Sequence, residues 1–145
     1  MDKYSVFVSH SSEDKIAYVE DLVNEIKDLG ISVFYDQDVI SWGDNLKEKI
    51  DWGLKNCQLA VIIISPNYFG REWTEYELKV LLERQGVEKD KLILPILYNT
   101  SKEDLVKHYP SLNHILFKHA KSQSKKSLAL ELKKELDKKL LKKAG

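Results

Sequence analysis

The chain has 145 residues, of which 43% are hydrophobic and 32% charged, and its basic and acidic side chains balance. That composition suits one soluble globular domain rather than a disordered chain. The longest apolar run, Leu59 to Ile64, falls far short of the ~20 residues a membrane span needs. The opening residues lack a signal-peptide layout, and the single cysteine, Cys57, leaves no partner for a disulfide or a thiolate zinc cluster. Both features point to a reducing, cytoplasmic setting, with Cys57 as core filler beside an apolar run. Charge is unevenly spread: residues 1–117 carry 13 Lys/Arg against 20 Asp/Glu, and residues 118–145 carry 10 Lys against 3 acids. A basic end suits either a nucleic acid or anionic membrane, or a solvated helix face that offsets an acidic body. No aromatic side chain is interleaved with these lysines, so the second reading is preferred and neither nucleic acid nor membrane is expected as a partner.

Apolar runs alternate with helical periodicity, the signature of a parallel α/β sheet. Tyr4 to Ser9 reads as a first strand. Ser11 or Ser12 then caps a helix whose apolar face is Ile16, Val19, Leu22, Val23, Ile26 and Leu29, closed by Gly30. Ile31 to Tyr35 is a second strand, and a polar loop from Asp36 to Asp44 leads to a helix carrying Leu46, Ile50 and Leu54. Leu59 to Ile64 is apolar throughout, as expected of a central strand covered on both faces. A helical region follows, with Pro66 in its first turn and its end near Arg84. Lys91 to Leu97 is a fourth strand, in which Pro95 needs a bulge or a position without a ladder partner. A short helix over Lys102 to Lys107 and a short fifth strand over His114 to Phe117 come next. A final helix over 124–143 sets Leu128, Leu132, Leu136 and Leu140 in line. The expected fold is α/β: a flavodoxin-like three-layer sandwich on a five-stranded parallel sheet of order 2-1-3-4-5.

In open parallel sheets, ligands bind beyond the carboxyl ends of the strands, where strand order reverses. Here that point joins the loop Ser9 to Asp14 with the loop Ser65 to Trp73. Ser9, His10 and Ser11 precede a helix whose free amides and positive dipole end suit a phosphate. Plain capping accounts for the same serines, His10 is equally a polar loop residue, and Glu13 and Asp14 disfavour an anion. In the next helix Trp73, Tyr76, Val80 and Leu81 form one stripe, which Leu78 and Leu82 broaden, with Glu77 inside it. Glu72, Glu75 and Lys79 fall on the opposite face, where Glu75 and Lys79 can pair. A carboxylate on a buried face is costly unless paired or needed. Either Glu77 reaches water or a lysine at the stripe's edge, or it holds a sugar whose neighbouring rings stack on Trp73 and Tyr76. A receiver domain would need an aspartate where Ser65 stands, and a flavodoxin phosphate loop is only faintly matched. No glycine-rich phosphate motif occurs and the four histidines lack metal-ligand spacing, so no metal is expected.

Val6-Phe-Val-Ser-His-Ser-Ser-Glu-Asp-Lys15 resembles the opening strand and loop of Toll/interleukin-1 receptor (TIR) domains, especially bacterial ones. Val33 to Asp36, Ile40 to Asp44, Ser65-Pro-Asn-Tyr68, Trp73, Glu77-Leu78 and Leu94-Pro-Ile96 resemble later motifs of that family in the same order. The resemblance implies cleavage of the nicotinamide–ribose bond of NAD+, which is substrate rather than cofactor, with Glu77 as the catalytic carboxylate four residues after Trp73. It further implies ADP-ribose or a cyclic isomer as product, a bacterial immune or signalling role, and self-association through TIR–TIR contacts. Trp42 then covers the nicotinamide, touches a neighbouring subunit, or plugs the space beneath its loop. Arg71 and Thr74 depart from the family, which often has Ser and Cys there, and the loop lacks the proline of animal receptors. The alternative function is a non-catalytic TIR–TIR interaction module. Residues 1–145 are read as one domain, a unit that can also be a piece of a longer protein.

Overall fold

A computed structural model describes residues 4–35 and 40–144. The first strand, β1 (Val6–Ser9), leads through a 3-10 turn (Ser12–Asp14) and a π-helical turn (Lys15–Val19) into α1 (Glu20–Asp28). Then come β2 (Val33–Phe34), α2 (Leu46–Asn56), β3 (Leu59–Ile64), α3 (Glu72–Glu88) and β4 (Ile93–Leu97). The chain ends through α4 (Lys102–His108), a 3-10 turn (Pro110–Leu112), β5 (Lys118–His119) and α5 (Lys125–Ala144). The five strands are parallel, in the order β2-β1-β3-β4-β5. This is the expected sheet.

Alternation along β3 builds a core on each face. Leu59, Val61 and Ile63 pack with Val6, Val8, Leu22, Ile26, Leu128 and Leu132 beneath α1 and α5. Ala60, Ile62 and Ile64 pack with Phe7, Phe34, Leu54, Leu78 and Leu81 beneath α2 and α3. Gly53 makes the second layer possible: a Cβ there would lie 2.8 Å from the Phe34 ring, which is stacked on Phe7 at 5.0 Å. Cys57 is fully buried, and burial pushes its thiol up, so it serves as packing. The basic helix α5 folds back on the acidic body, with Lys125 3.4 Å from Asp21 and Lys142 3.6 Å from Asp90. Buried Lys139 donates to the carbonyls of Gln58 and Lys91, tying α5 to the starts of β3 and β4. No described helix is long and apolar enough to cross a membrane.

Several boundaries differ from expectation for local reasons. Pro66 sits in a turn ahead of α3, which starts at Glu72 and runs beyond Arg84 until Lys89 turns left-handed at φ 54°. Ile16 is exposed because the π-helical turn rotates it off the apolar face, and Leu140 lies half outside the core as α5 runs past the sheet. The fifth strand occupies 118–119 instead of 114–117, and β4 supplies the cause. Tyr98 donates to Ile64 on β3, so by alternation the amide position of residue 95 faces the β5 side. Pro95 has no N–H to offer there, and the Ile93 amide is taken by the Gln85 side chain at 3.0 Å. Pairing therefore begins only at Ile96, opposite Lys118.

Tyr18 gives a stability prediction. Its ring is stacked on Tyr98 at 4.6 Å, yet its buried hydroxyl has no hydrogen-bond partner among the described residues. Burial, then the neighbouring Tyr98, pushes it up to about 12. The folded state thus holds a proton that the unfolded chain releases near pH 10, so this contribution is full below pH ~10 and is lost as pH rises toward ~12. Tyr18→Phe should flatten that alkaline loss and raise stability by about 1 kcal/mol at neutral pH, read by denaturant unfolding. Unchanged alkaline unfolding would contradict the assignment.

Candidate active site

The carboxyl ends of β1 and β3 carry the two loops that the topology brings together. Ser9 ends β1 opposite Ile62, and Ser65 follows directly on β3. Ser11 caps the 3-10 turn, its hydroxyl accepting from the Glu13 amide at 3.3 Å. Asp14 closes that turn and is buried. It accepts from the Ser65 hydroxyl and from the Asn67 amide nitrogen at 2.9 Å, so one carboxylate joins both loops. Farther out, Arg71 pairs with Glu13, and its Nε donates to the Asn67 carbonyl at 3.2 Å.

Helix α3 rises from the second loop and buries Thr74, Glu77, Leu78 and Leu81, a helical stripe flanked by half-buried Trp73, Tyr76 and Val80. Glu77 is therefore at the centre of the buried face, with 9% exposure. Its Oε1 accepts from the Ser9 hydroxyl at 2.6 Å, and the Ser9 Oγ lies 2.8 Å from the Tyr68 hydroxyl. Burial first, and the charge of Glu77 second, hold Tyr68 well above its usual range, so it remains a donor. Thr74 donates to the Tyr68 carbonyl at 2.6 Å, which fixes the loop on the first turn of α3. The two departures from the TIR pattern, Arg71 and Thr74, thus both serve to hold this loop.

The aromatic pair stands beside the carboxylate. Trp73 and Tyr76 meet edge to face at 5.9 Å. The Tyr76 hydroxyl is spent on Asp51 of α2, which also binds Lys47 at 2.9 Å, so only its ring is offered. Tyr76 first, then Lys47, lower the Asp51 carboxyl below its ordinary range. Glu75 corrects an expectation: it does not face solvent toward Lys79. It is half-buried and accepts from the Gly70 amide at 3.0 Å and from the Tyr109 hydroxyl. Ser9 and His10 diverge, since Ser9 joins α3 while the His10 ring stacks on Tyr35 at 5.3 Å, in the core layer beneath α1.

Trp42 is fully exposed. Ser41 and Asp44 close a turn around it, the Ser41 amide donating to Asp44 Oδ2 at 2.8 Å, and Gly43 supplies the φ of 93°. The plug reading is overturned, since Trp42 covers nothing beneath its loop. Asp36 to Val39, the first part of the expected loop, lie outside the described residues. A 620 Å³ cavity between β4 and α5, lined by residues such as Leu94, Ile96, Leu128 and Leu132, shares no residue with this site. Chemistry rather than cavity size marks Glu77.

Reading the sequence missed Asp14, Asn67, Tyr68 and Asp51 as builders of the site. Ser11 and Asp14 have capping-box spacing, which conceals that Asp14 turns to the other loop. Asn67 and Tyr68 stood out only within the TIR-like run Ser65-Pro-Asn-Tyr68, which carries no hint of their partners in the first loop.

A family profile described as the TIR domain matches residues 6–133. The chain is 35% identical over 129 residues, 89% of its length, to the NAD(+) hydrolase TcpC of Escherichia coli O6:H1. It is 40% identical over 110 residues, 76% of its length, to the 2' cyclic ADP-D-ribose synthase BtTIR of Bacteroides thetaiotaomicron. The chain spans 42% and 38% of those two relatives. Its fold matches the TIR domain of the Toll-related receptor TRR-2 of Hydra magnipapillata, with a TM-score of 0.74 at 20% identity, over 92% of this chain and 98% of that one. On the family match and these relatives, the chain belongs to the TIR domain family.

Proposed function

We propose that this domain cleaves the nicotinamide–ribose bond of NAD+, releasing nicotinamide and ADP-ribose or a cyclic isomer. One observation carries the reading: a carboxylate on the buried face of α3, oriented by Ser9 and set beside Trp73, four residues after that tryptophan. Relatives that bear the names NAD(+) hydrolase and 2' cyclic ADP-D-ribose synthase support the choice of substrate. The C1'–N bond breaks with its electron pair passing to the cationic nicotinamide ring, which departs neutral and needs no general acid, unlike an ordinary glycosidic leaving group. Positive charge then develops on the ribose, where Glu77 opposes it. Water, or a hydroxyl of the adenosine half, adds at C1' and loses its proton. On this proposal Ser11 and His10 serve as substrate-binding residues at the end of β1, and Trp73 and Tyr76 as the rings flanking the reacting sugar. NAD+ is consumed as substrate, and the proposal extends to a bacterial, cytoplasmic role in immune signalling.

Purified protein incubated with NAD+ should release nicotinamide; absence of release under crowded and dilute conditions alike would sink the reading. Self-association adds a second expectation. An aromatic side chain held in solvent by a closed turn suits a contact made only on assembly. Specific activity should therefore rise with protein concentration, and Trp42→Ala should flatten that rise without lowering the melting temperature. Constant specific activity across a wide range, with a monomer throughout, would refute it.

A further inference from the structure

We infer that Tyr68 is a positioning residue that acts on Glu77 through the Ser9 hydroxyl, an inference that rests on the NAD+-cleaving reading of the site. Proton counting sets the direction of the relay. A serine hydroxyl has one proton, and Ser9 places it on Glu77 Oε1 at 2.6 Å. The proton between Tyr68 and Ser9, whose oxygens are 2.8 Å apart, therefore comes from Tyr68. The Thr74 carbonyl, 3.3 Å from the same hydroxyl, is the more distant acceptor. Tyr68 and Ser9 are both fully buried, so water does not substitute for either bond. In such a chain each donor polarises the next, and the Ser9 hydroxyl binds the carboxylate more firmly than it would alone.

Other contacts fix the relay's start. Thr74 grips the Tyr68 carbonyl, and the Tyr68 ring meets Tyr109 edge to face at 6.3 Å. The charged and titratable groups acting on Tyr68 are Glu77 on one side and Tyr109 with Glu75 on the other. All three favour its protonated form, the form the relay needs. Ser9 thereby has a different task from a substrate contact: its hydroxyl is committed to holding Glu77 in one orientation.

The test compares wild type, Tyr68→Phe, Ser9→Ala and the double variant. Tyr68→Phe keeps the ring and removes only the hydroxyl. It should lower kcat for nicotinamide release about ten-fold with KM within about two-fold. In the Ser9→Ala background the same change should have no further effect, whereas a merely structural role would give additive losses. The Glu77 carboxyl, followed by carbon-13 NMR through a pH titration, should titrate at higher pH in both single variants. Wild-type turnover by Tyr68→Phe, or additive losses, would overturn the relay. If wild type releases no nicotinamide, the proposed activity fails, and the carboxyl titration then decides the relay by itself. An unfolded Tyr68→Phe leaves that decision to Ser9→Ala, in which an unmoved Glu77 titration overturns it.

Discussion

Glu77→Gln should reduce nicotinamide release by at least about 10²–10³, the cost of losing one preorganised electrostatic partner and roughly 3–4 kcal/mol. Glutamine keeps the volume of the side chain and an oxygen that still accepts from Ser9. What it removes is the charge facing the developing ribose cation. The fold should survive, with an unchanged or higher melting temperature, because a buried charge has been taken away. The control belongs at Glu72, which is exposed on the first turn of the same helix. Glu75 cannot serve, since its contacts with Gly70 and Tyr109 make it a structural tie. Nicotinamide release and thermal melting of both variants settle the matter: an active Glu77→Gln, or an inactive Glu72→Gln, assigns the chemistry elsewhere.

Asp14→Ala should cost about 3 kcal/mol of stability, near the sum of two hydrogen bonds to a charged group after relaxation. The loss is larger than an exposed ion pair would give because Ser65 and Asn67 are left with donors aimed at an emptied, buried position. For a domain of this size the melting temperature should fall by about 10 °C. Arg71→Ala, which removes the exposed bridge to Glu13, should change stability by less than about 1 kcal/mol. Denaturant unfolding measures both. Asp14→Ala within about 0.5 kcal/mol of wild type would show that the two loops are held together by something other than this carboxylate.

The fold was legible where burial alone dictates sequence. Leu59 to Ile64 is covered on both faces, so every position is apolar and its limits match β3 residue for residue. Glu77 was legible for the opposite reason, as a charge inside an apolar stripe. The fifth strand was misplaced because Ile115 and Phe117 do turn inward, giving the alternation of a strand, while pairing is decided by donors on a neighbouring strand. Trp42 was ambiguous because hydrophobicity cannot distinguish a buried plug from a side chain projecting into solvent, and the Ser41–Asp44 turn holds it in solvent. Asp14, Asn67 and Tyr68 were hidden because their partners lie some 50 or more residues away in the chain. Local pattern is blind to such pairs.

The blocked stretch of β4 bears on how copies of this domain can meet. Both outer strands of the sheet are two residues long, and where β5 stops short β4 has one amide missing at Pro95 and another occupied by Gln85. A neighbouring backbone seeking to extend the sheet finds acceptors without the matching donors. Domains crowded side by side are thereby kept from templating one another into cross-β aggregates.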